Sequence, residues 1–331
     1  MTKIAIIGGG MTGVALAMQL QDRAKVTVFE KSRGLGGRMA HRRAEPLAFD
    51  HGAAYLTIRD ADFANWLAPY QASGLLQPWP LHPVTFSAHH QPMPRQQRGD
   101  SFAVAGAANT LVKTLAAESC KEVDIHVEAK VMPLCKRTDR GWKITTDHGV
   151  SMDADWIIST APAPQTAALM PDGISFADDL ARPKMQGCFT MMLGFDHIIP
   201  IDWDAGWGAS DDAIGFVADN CQKPNRALKQ TALTIHAGNA WSDQHFDHDL
   251  DEIQQQMKRR LFELTGIDAS KASHMAVHRW RYANVNLPAG KACLLDQEKG
   301  LAAAGDWCLG GRVENAFLSA SALAREIFDV I

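Results

Sequence analysis

The feature that most constrains this chain is an apolar strand, Lys3 to Ile7, running straight into Gly8-x-Gly10-x-x-Gly13. A helix is expected next, and a second apolar run, Val26 to Phe29, ends on Glu30. Each part has a physical task. Gly8 makes a tight turn, Gly10 admits the close approach of a pyrophosphate, and Gly13 lets the helix pack against the sheet. The helix N-terminus offers unpaired N–H groups and the positive end of its dipole to the phosphates. At the strand end, the Glu30 carboxylate can accept hydrogen bonds from ribose hydroxyls. Read as one strand–helix–strand–acid frame, with Met11 and Thr12 inside the motif, residues 3–30 imply a dinucleotide site in a Rossmann-like α/β fold.

A second glycine-rich, basic segment follows at once: Lys31-Ser-Arg-Gly-Leu-Gly-Gly-Arg38. A nicotinamide-only domain has little use for it, because one helix terminus already serves its pyrophosphate. Gly36, Gly37 and Arg38 resemble the loop of the amine-oxidase-like flavoproteins, which lies along the FAD pyrophosphate and approaches the flavin ring. The other end of the chain adds a third piece. Leu301-Ala-Ala-Ala-Gly-Asp306 reads as a buried strand closing on an acid suited to ribityl hydroxyls. The stretch Leu309 to Phe317, with Val313, Glu314 and Asn315, leads into an apolar helix from Leu318 to Phe328. A helix N-terminus aimed at the flavin pyrimidine would stabilise negative charge on the reduced ring. Val131, after a strand, could hold the adenine edge by its backbone. Nucleotide-binding segments at both ends of the chain imply one sheet assembled from both, with FAD as cofactor.

Composition narrows the class. The chain has 331 residues, 46% hydrophobic and 21% charged, which describes a globular protein long enough for two domains. With 33 basic and 37 acidic residues the formal charge is −4, against a general nucleic-acid binder. No apolar run reaches the length of a membrane span. Nor does the N-terminus read as a cleaved signal, since removing it would destroy the first strand. These features fit a cytoplasmic enzyme with a small-molecule substrate and no protein partner. Cysteines at 120, 135, 188, 221, 293 and 308 show neither CxxC nor metal-ligand spacing, so buried thiols are expected, not disulfides or a metal site. The missing CxxC excludes dithiol reductases, and the lack of a second complete GxGxxG argues against a separate NAD(P)H domain.

Periodicity places a helix over Asn109–Glu118 and another over about 249–264, with Leu250, Ile253, Met257, Leu261 and Leu264 on one face. Strands are expected at Val123–Glu128, Trp142–Thr146, Asp155–Thr160, Cys188–Phe195, Ile214–Ala218, Thr231–His236 and His274–Trp280, with turn chemistry at Asp139-Arg-Gly141. The segment from Phe63 to Arg98, rich in Pro, His and Gln, reads as loops and short strands, His89 and His90 among them. His245-Phe-Asp-His-Asp249 offers metal-ligand residue types but precedes an amphipathic helix, so Asp247 or Asp249 is more simply its cap. The expected division is a FAD-binding domain from 1–60, 101–170 and 290–331, interwoven with a smaller α+β substrate domain from 61–100 and 171–289.

Five segments carry a more specific resemblance: Asp50-His-Gly-Ala-Ala-Tyr-Leu-Thr57, Ala161-Pro-Ala-Pro-Gln165, Lys223-Pro-Asn-Arg226, His278-Arg-Trp-Arg-Tyr-Ala283 and Gly305-Asp-Trp-Cys-Leu-Gly-Gly-Arg-Val-Glu314. Together they resemble bacterial renalases, over essentially the whole chain. The resemblance implies a two-domain FAD fold of the hydroxybenzoate-hydroxylase type with noncovalent flavin. It also implies oxidation of the 2- and 6-dihydro isomers of NAD(P)H, with O2 as acceptor and hydrogen peroxide as product. Three departures stand out: Ala54 where the family usually has Gln, Glu314-Asn-Ala-Phe317 for Glu-Gly-Ala-Trp, and Ser319-Ala320 for Ser-Gly.

Taking hydride from a 2- or 6-dihydropyridine gives an aromatic pyridinium directly, so no general base is needed, and no convincing acid–base dyad is visible. Ala53, Ala54, Tyr55 and Thr57 follow the flavin-facing segment of the family, Tyr55 and Thr57 on the substrate side as well. Trp280, Arg281 and Tyr282 either line the pocket or serve as core and surface residues. Lys223 and Arg226 are candidates for a substrate diphosphate, or else solvated loop charges; His236 and Trp241 are similar candidates. Two other readings stay open: a flavin amine oxidase or desaturase, for which the three tyrosines Tyr55, Tyr70 and Tyr282 provide few cage partners, and a flavin-binding scaffold or redox sensor without turnover.

Overall fold

A computed structural model describes residues 1–87, 92–97, 99–135, 137–138, 141–226 and 229–331. His89, His90, Arg98, Asp139 and Arg140 therefore lie outside the described residues. The chain divides into two compact units, one of 1–37, 112–185 and 285–331, the other of 38–111 and 186–284.

The first unit is built on a six-stranded sheet in the order Asp124–His126, Ala24–Phe29, Thr2–Ile7, Trp156–Ser159, Leu301–Ala303, Leu294–Asp296. The first five strands are parallel and the last is antiparallel. Its central strands read as unbroken apolar runs because helices cover both faces of such sheets. Ile4, Ile6, Val26, Val28, Ile157 and Ile158 are fully buried. Helices Met11–Leu20 and Val313–Phe328 pack together, joining sequence positions some 300 residues apart. The last helix starts before Leu318, where the apolar pattern begins, because its first turn carries Glu314 and Asn315.

The second unit contains a seven-stranded sheet ordered His274–Leu287, Lys184–Phe195, Thr231–His236, Phe216–Asp219, Ala205–Trp207, Pro83–Thr85, Met93–Pro94. One face packs under helix Leu250–Thr265 through Leu233, Ile235, Val217, Ile253, Met257 and Leu261. That helix is capped by Asp249, whose side chain accepts from the Asp251 N–H at 2.8 Å. The adjoining His245 ring stacks on Trp241 at 4.3 Å. Period-2 alternation turns Ala232, Thr234 and His236 to the opposite face.

Two expectations need correction. The unit boundaries differ from 60, 101, 170 and 290, most of all for residues 38–60. The hairpin His41–Ala44 and Leu47–Asp50 belongs to the second unit because its Leu47 and Phe49 join a core with Met192 and Ala232. The region after Phe63 is not all loop: helix Ala61–Ala72 occupies its start, capped by the Asp60 carboxylate and burying Phe63, Leu67 and Tyr70. Pro69 sits near the end of that helix and obscures its periodicity.

Candidate functional site

In the first unit the glycine motif forms a cradle. Gly8 sits at φ +117°, a backbone conformation that side chains rarely adopt, and its N–H donates to Phe29 O at 2.8 Å. A Cβ on Gly13 would stand 1.9 Å from Gly8 O, so helix and strand approach as closely as backbone allows. Gly10 faces Gly37, whose Cα would lie 4.0 Å from a Gly10 Cβ, and Gly36 N–H donates to Gly9 O at 2.9 Å. The two glycine-rich loops thus meet backbone to backbone. Helix Met11–Leu20 has no side-chain cap and no acid in its first turn. Its leading N–H groups are available to a pyrophosphate lying over Gly10. Met11 and Thr12 are buried just behind.

Glu30 is buried at the strand end, and its carboxylate accepts from Gly9 N–H and Ser32 N–H, both at 2.7 Å. Those bonds fix the acid between the two loops, and each oxygen keeps a lone pair for a ribose hydroxyl. Lys31 reaches Gln165 Oε1 at 3.1 Å. Val131 makes an isolated bridge with Thr146. Asp306 is buried as the first residue of the short helix Asp306–Leu309 after strand Leu301–Ala303, and helix Val313–Phe328 begins without a side-chain cap, its Glu314 paired with Arg312 and its Asn315 Nδ2 donating to Gly310 O at 2.7 Å. The cradle, the strand-end acids and the two uncapped helix starts fit an FAD.

In the second unit, Arg38 donates to Ala283 O at 3.2 Å while its carbonyl accepts from Ala53 N–H at 2.9 Å. This anchors the run Ala53, Ala54, Tyr55. The Tyr55 ring lies 6.1–6.5 Å from those of Phe216, Trp207 and Trp79. Cross-strand register sets His236 opposite both Phe216 and Thr190, and Phe216 opposite Trp207. The result is a row Thr190–His236–Phe216–Trp207 on the sheet face opposite the helix-covered core, with Tyr55 against it. His51 extends this surface: it stacks on Trp280 at 5.4 Å, and Trp280 Nε1 donates to His51 O at 3.1 Å. The structure therefore brings together Tyr55, His236 and Trp280.

Burial holds both His51 and His236 down to about 4, so both are neutral at pH 7; His278 and Arg42 reinforce the effect at His51. His51 Nδ1 and His236 Nε2 are buried and have no hydrogen-bond partner among the described residues. Because both folded values lie below the unfolded 6.5, their stabilising contribution is complete above pH 6.5 and is lost as pH falls towards 4. Unfolding midpoints in denaturant should accordingly decline over that window, and His236→Gln should flatten the decline.

Four expected substrate residues lie outside the aromatic row. Lys223 and Arg226 are corrected from substrate ligands to members of a buried ion cluster: Lys223 Nζ lies 2.8 Å from Asp50 Oδ2, and Arg226 Nη2 bonds the same oxygen. Asp50 Oδ1 accepts from His41 Nδ1 at 2.8 Å and Ala108 N–H at 2.9 Å. Both cations point inward onto Asp50, the acid both pair with, and Arg226 Nη1 also donates to Asn220 Oδ1 at 3.2 Å. Burial alone would raise the Asp50 pKa, yet Lys223, His41 and Arg226 hold it well below the usual carboxylate range. Burial pulls the Lys223 ammonium down to about 8, with Asp50 pulling the other way. Trp241 is corrected to a core aromatic, edge-on to Phe189 on the helix-covered face. Thr57 pairs with Ser101 and lies outside the aromatic row. Tyr282 is half-buried two residues beyond Trp280, while Arg281 turns to the other face over Phe246 at 4.7 Å. Sequence reasoning missed His51, Phe216, Trp207 and Trp79, although the alternation within Ile214–Ala218 could have flagged Phe216.

Comparisons with known proteins agree with this architecture. Residues 6–68 match the model of an NAD(P)-binding Rossmann-like domain, and residues 84–328 match that of the flavin containing amine oxidoreductases. Renalase of Mus musculus is 22% identical over 306 residues, 86% of each chain. A 4,4'-diapophytoene desaturase of Staphylococcus aureus (strain MRSA252) is 41% identical over 59 residues only, 18% of this chain and 12% of its own. Among solved structures, an oxidoreductase from Methanosarcina mazei superposes with TM-score 0.75 at 14% identity, covering 98% of this chain and all of that one. A putrescine oxidase bound to putrescine gives TM-score 0.75 at 12% identity, covering 99% of each chain. With the oxidoreductase model matched over most of its length and an FAD cradle in its first unit, this chain belongs to the flavin containing amine oxidoreductases.

Proposed function

We propose that the protein is a renalase-like oxidase that takes hydride from the 2- and 6-dihydro isomers of NAD(P)H and passes two electrons to O2. FAD, held noncovalently, supplies the hydride acceptor. The balance is one dihydronicotinamide, one proton and one O2 giving NAD(P)+ and hydrogen peroxide. The observation that carries the reading is the aromatic row of the second unit, flanked by imidazoles that stay neutral. A flat ring can lie against Tyr55, Phe216 and Trp207 while His236 Nε2 bonds a polar substituent such as a carboxamide. No side chain need remove a proton, because loss of hydride aromatises the donor. The residues need only hold its carbon in place and exclude water.

An amine substrate finds less support. Tyr55 has Trp and Phe ring neighbours, Tyr70 is buried in a helix, and among the described residues no ring contact joins Tyr282 to Tyr55. The likeness to mouse renalase over 86% of the chain supports the same choice.

The test is anaerobic. Oxidised holoprotein is mixed with chemically reduced NAD containing the 2-, 4- and 6-dihydro isomers, and separately with pure 4-dihydro NADH and with amines. Rapid loss of the oxidised flavin band with the isomer mixture alone, and peroxide after air is admitted, is the expected result. Bleaching by amines alone would move the protein to the amine oxidases. Bleaching by no donor would favour a flavin-binding scaffold.

A further inference from the structure

The hairpin His41–Ala44 and Leu47–Asp50 sorts its side chains by strand alternation. His41 and Asp50, directly paired, turn to Lys223 and Arg226. Arg42 is paired with Phe49 on the other side, where Phe49 stacks on His274 at 5.4 Å. His51, two residues on, meets His278 edge-on at 5.2 Å. One side of the hairpin therefore gathers a guanidinium and three imidazoles along strand His274–Leu287. Arg42 is exposed and forms no ion pair among the described residues. His274 Nε2 and His51 Nδ1 are buried without a hydrogen-bond partner. The guanidinium is close enough to depress the pKa of His51, His274 and His278, after burial the next cause at His274 and His278.

Buried polar groups are as a rule hydrogen-bonded, and in the tautomer that protonates them the two orphaned imidazole nitrogens, beside the exposed Arg42, can donate to an acceptor from outside the chain. That acceptor is an anion, since Arg42 presents the planar fork that suits phosphate oxygens. His274 and His278 stand four residues apart, roughly 13 Å on a strand rise of about 3.3 Å. A diphosphate, longer than a single phosphate, offers oxygens over more of that span.

We propose that Arg42, His274 and His278, with His51, form a subsite for the diphosphate of a dinucleotide. As the subsite of the hydride donor it rests on the reading above and takes over the role the sequence suggested for Lys223 and Arg226. Trp280, next on the same strand face, then continues the surface from the diphosphate towards the aromatic row.

The test uses FAD-loaded protein, so that the cofactor cradle is filled, and two readouts. The first is calorimetric binding of ADP-ribose, which carries the diphosphate but no nicotinamide. Arg42→Gln is expected to weaken it about 10- to 100-fold, the range for loss of a charge-assisted hydrogen-bonded pair, with Arg42→Lys in between. The second is kinetic: KM for dihydronicotinamide dinucleotide isomers should rise by a similar factor, while KM for the phosphate-free dihydronicotinamide riboside isomers, flavin content and kcat stay unchanged. Equal ADP-ribose affinity in wild type and Arg42→Gln would overturn the subsite. So would inorganic phosphate binding as tightly as ADP-ribose, which would mark a general anion site. Arg42-dependent ADP-ribose binding without bleaching by any dihydronicotinamide would keep the subsite and overturn the proposed reaction.

Discussion

Asp50→Ala should cost about 3–5 kcal/mol of folding stability, the range found when one partner of a buried ion pair is removed. The carboxylate is 2% exposed and answers four donors at once: His41, Lys223, Arg226 and the Ala108 N–H. Alanine removes the ion-pair partner of the buried Lys223 ammonium and Arg226 guanidinium, and frees the backbone at the start of helix Ala108–Ser119. Lys223→Met should cost less, because Arg226 still neutralises Asp50. Denaturant titration of both variants checks the order, and equal effects would refute it. The same cluster sets an acid limit. The folded pKa of Asp50 lies below its unfolded 3.8, so its contribution is complete above that value and disappears as pH falls below it.

Gly13→Ala should strip FAD from the purified protein and destabilise it by about 1–3 kcal/mol or more, the cost of overpacking a rigid contact. The added Cβ meets Gly8 O at 1.9 Å, and Thr160 Oγ1 stands at 3.0 Å on the same side. Neither backbone can yield without moving the helix off the sheet. Gly10→Ala is the informative partner. Its Cβ meets nothing in the chain closer than the Gly37 Cα at 4.0 Å, yet it occupies the approach of the pyrophosphate. That variant should fold with near-normal stability and bind FAD at least about tenfold more weakly, a loss of about 1.4 kcal/mol. Flavin absorbance per chain and thermal unfolding separate the two cases. A Gly10→Ala protein as yellow as wild type would remove Gly10 from the cofactor site.

What was legible in the sequence is what local chemistry decides. The turn at Gly8, the uncapped helix after it and the acid at Glu30 follow from neighbours within thirty residues, and they fold into one cradle. The amphipathic helix Leu250–Thr265 was likewise plain from its period. Lys223 and Arg226 were misread because a cation in a proline-containing loop looks solvated until its partner is known, and Asp50 is 173 residues from Lys223. The row of His236, Phe216 and Trp207 was only partly visible. Alternation within one strand shows which residues share a face, but register between strands joins them into one surface. Arg42 escaped notice for the same reason, since its significance comes from histidines on a strand more than two hundred residues later.

The parallel sheet of the first unit has a consequence for how the protein comes into being. Strand Thr2–Ile7 pairs with Trp156–Ser159, which pairs in turn with Leu301–Ala303. A ribosome working at about 5–20 residues per second releases the glycine motif many seconds before Leu301–Ala303 exists. During translation the nascent cofactor half lacks an inner strand and the helix that packs on Met11–Leu20. Chains aborted before residue 300 would carry the whole glycine signature and still lack that strand, so flavin retention itself reports that synthesis ran past Ala303.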